Sequence, residues 1–243
     1  MNKTTDITRR DPKPASFGFR FAFFALGLLI LSIGIAFTVQ ANLGIAPVSS
    51  VPFLLSQMLP MSFGLLTFLM QVLYVLIQAI LYIRRLPRSL LLQLAVGPIF
   101  GLFVDFAVWI CRFIQPQNLF WRLVLLLVGC FVTALGIYIQ LLPAVLINPG
   151  EGIVRAISEK SGQAFGKVKT IFDSGLMLIA LIISWLYFGR LVGLGVGTVV
   201  SALTVGWFSK RIDQFSVYIR LKERLGLDSF GIVASSSTAS EDF

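Results

Sequence analysis

The chain of 243 residues contains no histidine at all. That removes imidazole acid–base chemistry, haem ligation through histidine and the usual histidine-containing zinc sites. Cysteine is nearly absent too: Cys111 and Cys130 lie near the ends of adjacent apolar segments, where thiols behave as small hydrophobic residues. No Ser or Cys nucleophile stands beside a plausible base, so no enzyme is expected, and no cofactor or metal is implied. Charge is thin, at 13% of residues against 57% hydrophobic, with 22 phenylalanines. No soluble domain of this length has that balance, so the bilayer is the solvent. Acids are the scarcer sign, 11 against 20 Lys and Arg, for a net charge of +9. The basic residues cluster between apolar segments, which is how membrane proteins are oriented, and nucleic acid is excluded as a partner.

What is present, then, is a set of long apolar runs. Six reach the roughly 20 residues a crossing needs: 20–40, 63–83, 89–111, 121–143, 168–188 and 191–208. The first imitates a signal peptide, with basic residues ahead and Val39-Gln40-Ala41 behind. It is long for one, and the similar run Leu123 to Leu141 is internal, so it reads as a retained helix. Seventeen Lys and Arg fall in the N-terminal arm, the 84–88 loop, the 144–169 connection and the tail, against Arg112, Arg122 and Arg190 opposite. The positive-inside rule therefore predicts a multi-pass protein of the bacterial cytoplasmic (inner) membrane with both termini cytoplasmic.

The chain also says the same thing twice. Slid by 102 positions without gaps, Gly27 falls on Gly129, Gly34 on Gly136, Pro47 on Pro149, and Phe63-Gly64 on Phe165-Gly166. These matches sit largely on Gly and Pro, which fix backbone geometry. Each copy holds three membrane-length segments, and an odd number forces the second copy to enter from the opposite side. The expected fold is all-α: six transmembrane helices as an inverted 3+3 repeat. Its parts are an arm over 1–19, repeats over 20–111 and 112–208, and a tail over 209–243.

Between the first two spans of each copy lies a shorter helix signal, Pro47 to Met58 and Pro149 to Ser161. At about 16–20 Å these are too short to cross, so each is a re-entrant or an interfacial helix. After the last span, Ser209–Leu225 alternates basic and apolar residues and reads as an interfacial helix on anionic inner-leaflet lipids. The Ser-rich end from Ala234 to Phe243 is expected to be disordered.

Charges inside a membrane are costly and therefore informative. Asp173 lies two turns past Phe165-Gly166, and its repeat partner Gln71 holds the same place past Phe63-Gly64. Such a polar pair suits a central substrate or cation site; a salt bridge of Asp173 to Lys169 is the structural alternative. Asp105 stands alone among Phe103–Trp109, either functional, paired with Arg112 or reaching the outer surface. Asn148-Pro149-Gly150-Glu151-Gly152 permits a tight approach to a helix start, where exposed N–H groups favour a ligand. Glu151 either joins a cation or amine site or satisfies those N–H groups itself. Arg155, Lys160, Lys167 and Lys169 are either an anion site or orientation charges. The pairs Gly97–Gly101 and Gly193–Gly197 suggest that the third and sixth spans meet closely.

Asn42-Leu43-Gly44-Ile45-Ala46-Pro47, Pro149-Gly150-Glu151-Gly152, Phe165-Gly166-Lys167-Val168-Lys169 with Asp173, and Gly193-Leu194-Gly195-Val196-Gly197-Thr198 together resemble the bacterial YczE/YyaS/YitT family of integral membrane proteins. The resemblance covers about residues 20 to 210 and implies that Glu151, Lys167 and Asp173 belong to the family pattern. The expected function is a secondary transporter or channel for a small polar or charged solute, with a non-transporting accessory protein as the alternative. A homo-oligomer is left open.

Overall fold

A computed structural model describes residues 16–83, 89–143 and 146–214. Among them are eight α-helices and no strand: α1 (Phe17–Ala41), α2 (Pro47–Met58), α3 (Phe63–Leu81), α4 (Ser89–Cys111), α5 (Leu119–Leu141), α6 (Pro149–Ser161), α7 (Phe165–Phe188) and α8 (Val196–Gln214). The first fifteen residues and those after 214, which hold most of the expected basic helix and all of the Ser-rich end, lie outside the described residues. Helix starts follow local chemistry. Ser16, Ser62 and Asn148 each cap a helix by accepting a backbone N–H with the side chain, and Pro47 and Pro149 open α2 and α6.

Five helices, α1, α3, α4, α5 and α7, are long and apolar enough to cross a membrane. The sixth expected span differs. Gly189 and Gly193 take positive φ of 60° and 66°, and the chain stays unwound until Val196. That leaves α8 a short apolar stretch, Val196–Val205. The fifth span starts earlier than expected, at Phe165, because a helix admits Lys167 and Lys169 where a hydropathy window does not.

The tightest packing is between α1 and α5, through glycines. A Cβ on Gly27 would stand 2.6 Å from the Gln140 Cα, and one on Gly34 2.8 Å from the Thr133 Cα. Gly136 meets Leu31 and Gly129 meets Thr38 in the same way. In all four contacts the two residue numbers add to 167, so the helices run antiparallel without slipping. Moreover, adding 102 to one partner and subtracting it from the other converts each contact into another of the four. Backbones this close permit only glycine, as in membrane helix pairs.

The pairing of elements has the same property. Helix α1 packs on α4 as α5 packs on α8; α2 packs on α7 as α6 packs on α3; and α2 packs on α3 as α6 packs on α7. The packing of α3 on α4 has no counterpart of similar extent between α7 and α8. The glycine pairs expected to join the third and sixth spans do something else. Gly97 and Gly101 of α4 abut Phe68 and Gly64 of α3, while Gly193 and Gly197 abut Phe53 and Leu43.

Two of the motifs clasp each other. Gly197 donates its N–H to the Leu43 carbonyl at 2.8 Å, and Ile45 donates to the Gly193 carbonyl at 3.2 Å. Between them Gly44 holds φ 120°, and a Cβ there would stand 2.5 Å from Thr198 Oγ1. Only glycine meets both conditions.

Candidate functional site

Both short helices bury their first turns and expose their ends. Pro47, Ser50, Val51, Pro52 and Leu54 of α2 are buried, as are Pro149, Gly150, Gly152, Ile153, Val154 and Ala156 of α6, whereas Gln57, Leu59, Glu159 and Lys160 are exposed. The two starts approach each other. The Val48 side chain lies 3.6 Å from a Cβ built on Gly150, and the Tyr74 ring edge lies 3.9 Å from the same point. Tyr74 sits in the middle of α3, so the two helix starts meet about halfway along a span.

Around that meeting point polar groups collect from three helices. Tyr74 is 3% exposed, its ring meets Phe172 edge-on at 5.6 Å, and among the described residues its hydroxyl has no hydrogen-bond partner. One residue beyond Phe172, Asp173 accepts a hydrogen bond from Lys169 Nζ at 2.7 Å, closing an ion pair across one turn of α7. Tyr74 lies within the field of Asp173. The structural alternative for Asp173 is thus realised, and the pair stays partly open, at 30% and 23% side-chain exposure.

Glu151 lies in the first turn of α6 and keeps some exposed surface. Lys169 and Asp173 lie close enough for their charges to act on Glu151. Glu151 does not cap its own helix. Asn148 does so, taking the Gly150 N–H on its side chain at 3.4 Å and the Glu151 and Gly152 N–H groups on its carbonyl at 2.9 and 2.8 Å. The Glu151 carboxylate is therefore spared for other work.

Other expected site residues lie apart. Gln71 is buried, with Oε1 facing Gly97 of α4 and without a partner among the described residues, so it is Tyr74 and not Gln71 that α3 turns toward Asp173. Lys167 is exposed and donates to Gln163 at 2.9 Å. Asp105 accepts from the Gly64 N–H at 2.6 Å and from Ser62 Oγ at 2.5 Å, holding the first turn of α3. Arg112, its expected partner, instead lies over the rings of Trp109 and Phe113, at 5.3 and 4.8 Å.

Sequence reasoning missed Tyr74, Gln78 and Gln93. Gln78 Nε2 donates to Gln93 Oε1 at 3.2 Å and to the Pro149 carbonyl at 3.3 Å. A Cβ on Gly152 would stand 2.6 Å from Gln78 Oε1, so that glycine admits the amide pair against α6. Two glutamines inside apolar spans were the available signal. Among the described residues no cluster of acids and thiols has the makings of a metal site.

A profile described as a family of unknown function, DUF6198, matches residues 18–214. The chain is also similar to the uncharacterized protein YyaS of Bacillus subtilis (strain 168), at 26% identity over 164 residues, covering 67% of this chain and 80% of that one. The YyaS-like assignment expected from the motifs holds. No solved structure matches the chain. With more than three-quarters of its length inside the profile, this apolar chain belongs to the DUF6198 family.

Proposed function

We propose that the protein is a secondary transporter or channel for a small polar or charged solute, built as an inverted 3+3 repeat. The antiparallel α1–α5 crossing, whose contacts interchange under the 102-residue shift, supports the inverted repeat. The observation that carries the function is the meeting of two broken-helix starts beside Tyr74, Glu151, Lys169 and Asp173. Ionisable groups and helix starts inside an apolar protein are what a solute path needs, and lipid-facing packing needs neither. In this reading Glu151 and Asp173 hold a coupling cation or a cationic group of the solute, Lys169 offsets their charge, and Tyr74 offers a free hydroxyl. The sixth crossing is the unwound 189–195 stretch followed by α8.

The same reading places the protein in the bacterial inner membrane with both termini cytoplasmic, on the distribution of Lys and Arg. It gives the segment 209–225 anionic lipids as partners, and it assigns no enzymatic activity. A second reading, an accessory protein that supports a membrane partner, is favoured by α7, whose most apolar window is only 17% buried.

The test is a thermal-shift screen of the purified protein against small metabolites, anions and amines, run beside Asp173→Asn. A ligand at about 100 times its Kd stabilises the fold by about 2.7 kcal/mol. Stabilisation that disappears in Asp173→Asn supports transport; a broad panel with no shift leaves the accessory reading.

A further inference from the structure

The two halves differ in how α4 and α8 pack on α3 and α7, and the difference is informative. In the first half, α4 lies flat on α3. The Gly64 backbone touches the Gly101 carbonyl, a Cβ on Gly101 would stand 3.2 Å from the Phe68 Cβ, and one on Gly97 would stand 2.9 Å from the Phe68 ring. Shifted by 102, these four positions become Gly166 and Thr170 on α7, and Val199 and Leu203 on α8.

None of the four is covered. A Cβ on Gly166 would meet nothing within 4 Å, and Thr170 is exposed. Val199 and Leu203 are 52% and 71% exposed. Yet the two faces match. The first half sets large Phe68 of α3 against small residues of α4; the second carries its small residues on α7 and its large ones on α8. A groove and the ridge that fits it lie in one chain, unjoined.

The same gap governs the candidate site. Gln71, one turn past Phe68, is 5% exposed under Gly97. Its counterpart Asp173, one turn past Thr170, stays partly open with Lys169.

We propose that the chain has a second conformation in which α8 closes on α7, seating Leu203 against Thr170 and Gly166 and covering the Lys169–Asp173 pair. This rests on the repeat reading above, and it makes the present structure the state whose site opens between α7 and α8. With the termini cytoplasmic, that opening faces the cytoplasm. In a repeat of this kind the opposite state follows when the halves exchange conformations, so closing α8 on α7 goes with α4 leaving α3. Asp105 then releases the Gly64 N–H.

The experiment is disulfide trapping of the full chain in lipid vesicles, with Cys111→Ala and Cys130→Ala as the background. Thr170→Cys is combined with Leu203→Cys, since the matching pair in the first half has a Cβ separation of 3.2 Å, close to the roughly 3.5–4.5 Å of a disulfide. After mild oxidation, peptide mass spectrometry should find the bond within one chain in a tenth or more of the molecules. Thr170→Cys with Val199→Cys is the second pair, because Gly97 and Phe68, their counterparts in the first half, are also in contact; all three side chains sit on open surface, so folding is undisturbed. A bond only between chains would mean that a second copy takes this face and would overturn the proposal, as would no bond in either pair. A within-chain bond in a protein that binds no solute leaves the closure standing and removes the transport reading. Solute binding lost in Asp173→Asn, with no bond in either pair, does the reverse.

Discussion

Gly136 of α5 lies against the backbone of Leu31 in α1, where a Cβ on the glycine would stand 2.6 Å from the leucine Cα. Gly34 lies against Thr133 in the counterpart place. No side chain can swing aside at either point, because the obstructing atoms belong to the partner's main chain. Gly136→Val must push the helices apart, and overpacking of that kind costs about 1–3 kcal/mol. Gly34→Val should cost a similar amount. Thermal unfolding in detergent measures both; a variant that melts with the parent would refute the close crossing.

Gly44→Ala meets two obstacles at once, a φ of 120° and Thr198 Oγ1 at 2.5 Å. The expected loss is about 1–3 kcal/mol. Gly18→Ala, in open space on α1, serves as the control and should be neutral or slightly stabilising.

Asp105 acts on the first turn of α3, through Gly64 and Ser62. Asp105→Asn keeps the shape and removes the charge that faces the helix start. A loss of about 1 kcal/mol in stability is expected, with solute binding unchanged. If binding vanished while stability held, Asp105 would belong to the solute path instead.

Lys169 and Asp173 should be unequal to the sum of their parts. Lys169→Met strands a partly buried carboxylate beside Glu151, whereas Lys169→Met with Asp173→Asn leaves neither charge unpaired. The single variant is expected to be the less stable, with a coupling of about 0.5–3 kcal/mol from the double-mutant cycle. Additive changes would show that the pair is only a surface contact.

Glu159 gives a pH signature. The Tyr82 hydroxyl donates to it at 2.6 Å and Arg155 at 2.9 Å; together they outweigh burial and hold its carboxyl below the ordinary value of 4.5. A depressed acid stabilises the fold above its unfolded pKa, and that contribution disappears as pH falls through the folded value. Tyr82 moves the other way, pushed up to about 12 by burial and then by Glu159, so its contribution fades as pH rises from 10 toward 12. Melting temperature followed from pH 7 to 3 should therefore fall less in Glu159→Gln than in the parent.

Much of the fold was written in the chain. The starts of α2, α3 and α6 coincide with Pro47, Phe63 and Pro149 because proline, serine and asparagine act on their own neighbourhood. The ion pair at Lys169 was legible for the same reason, lying one helical turn from Asp173. The end of the unwound stretch before Val196 was not, since hydropathy reads residue types and Gly193 to Gly197 is held by contact with residues 43 to 45. Nor was the role of Asp105, whose partners lie more than forty positions earlier.

By itself, then, the sequence determined the apolar composition, most of the helix starts, the 102-residue self-similarity and the charged residues worth naming, because composition, capping and self-similarity are properties of the chain. Only the tertiary structure decided which of those residues meet. It turned Tyr74 rather than Gln71 toward Asp173, brought Glu151 to Lys169, and left α7 bare where α3 is covered. Those outcomes depend on how helices distant in sequence cross, and the crossing is set by the backbone approach that small residues permit on both partners at once.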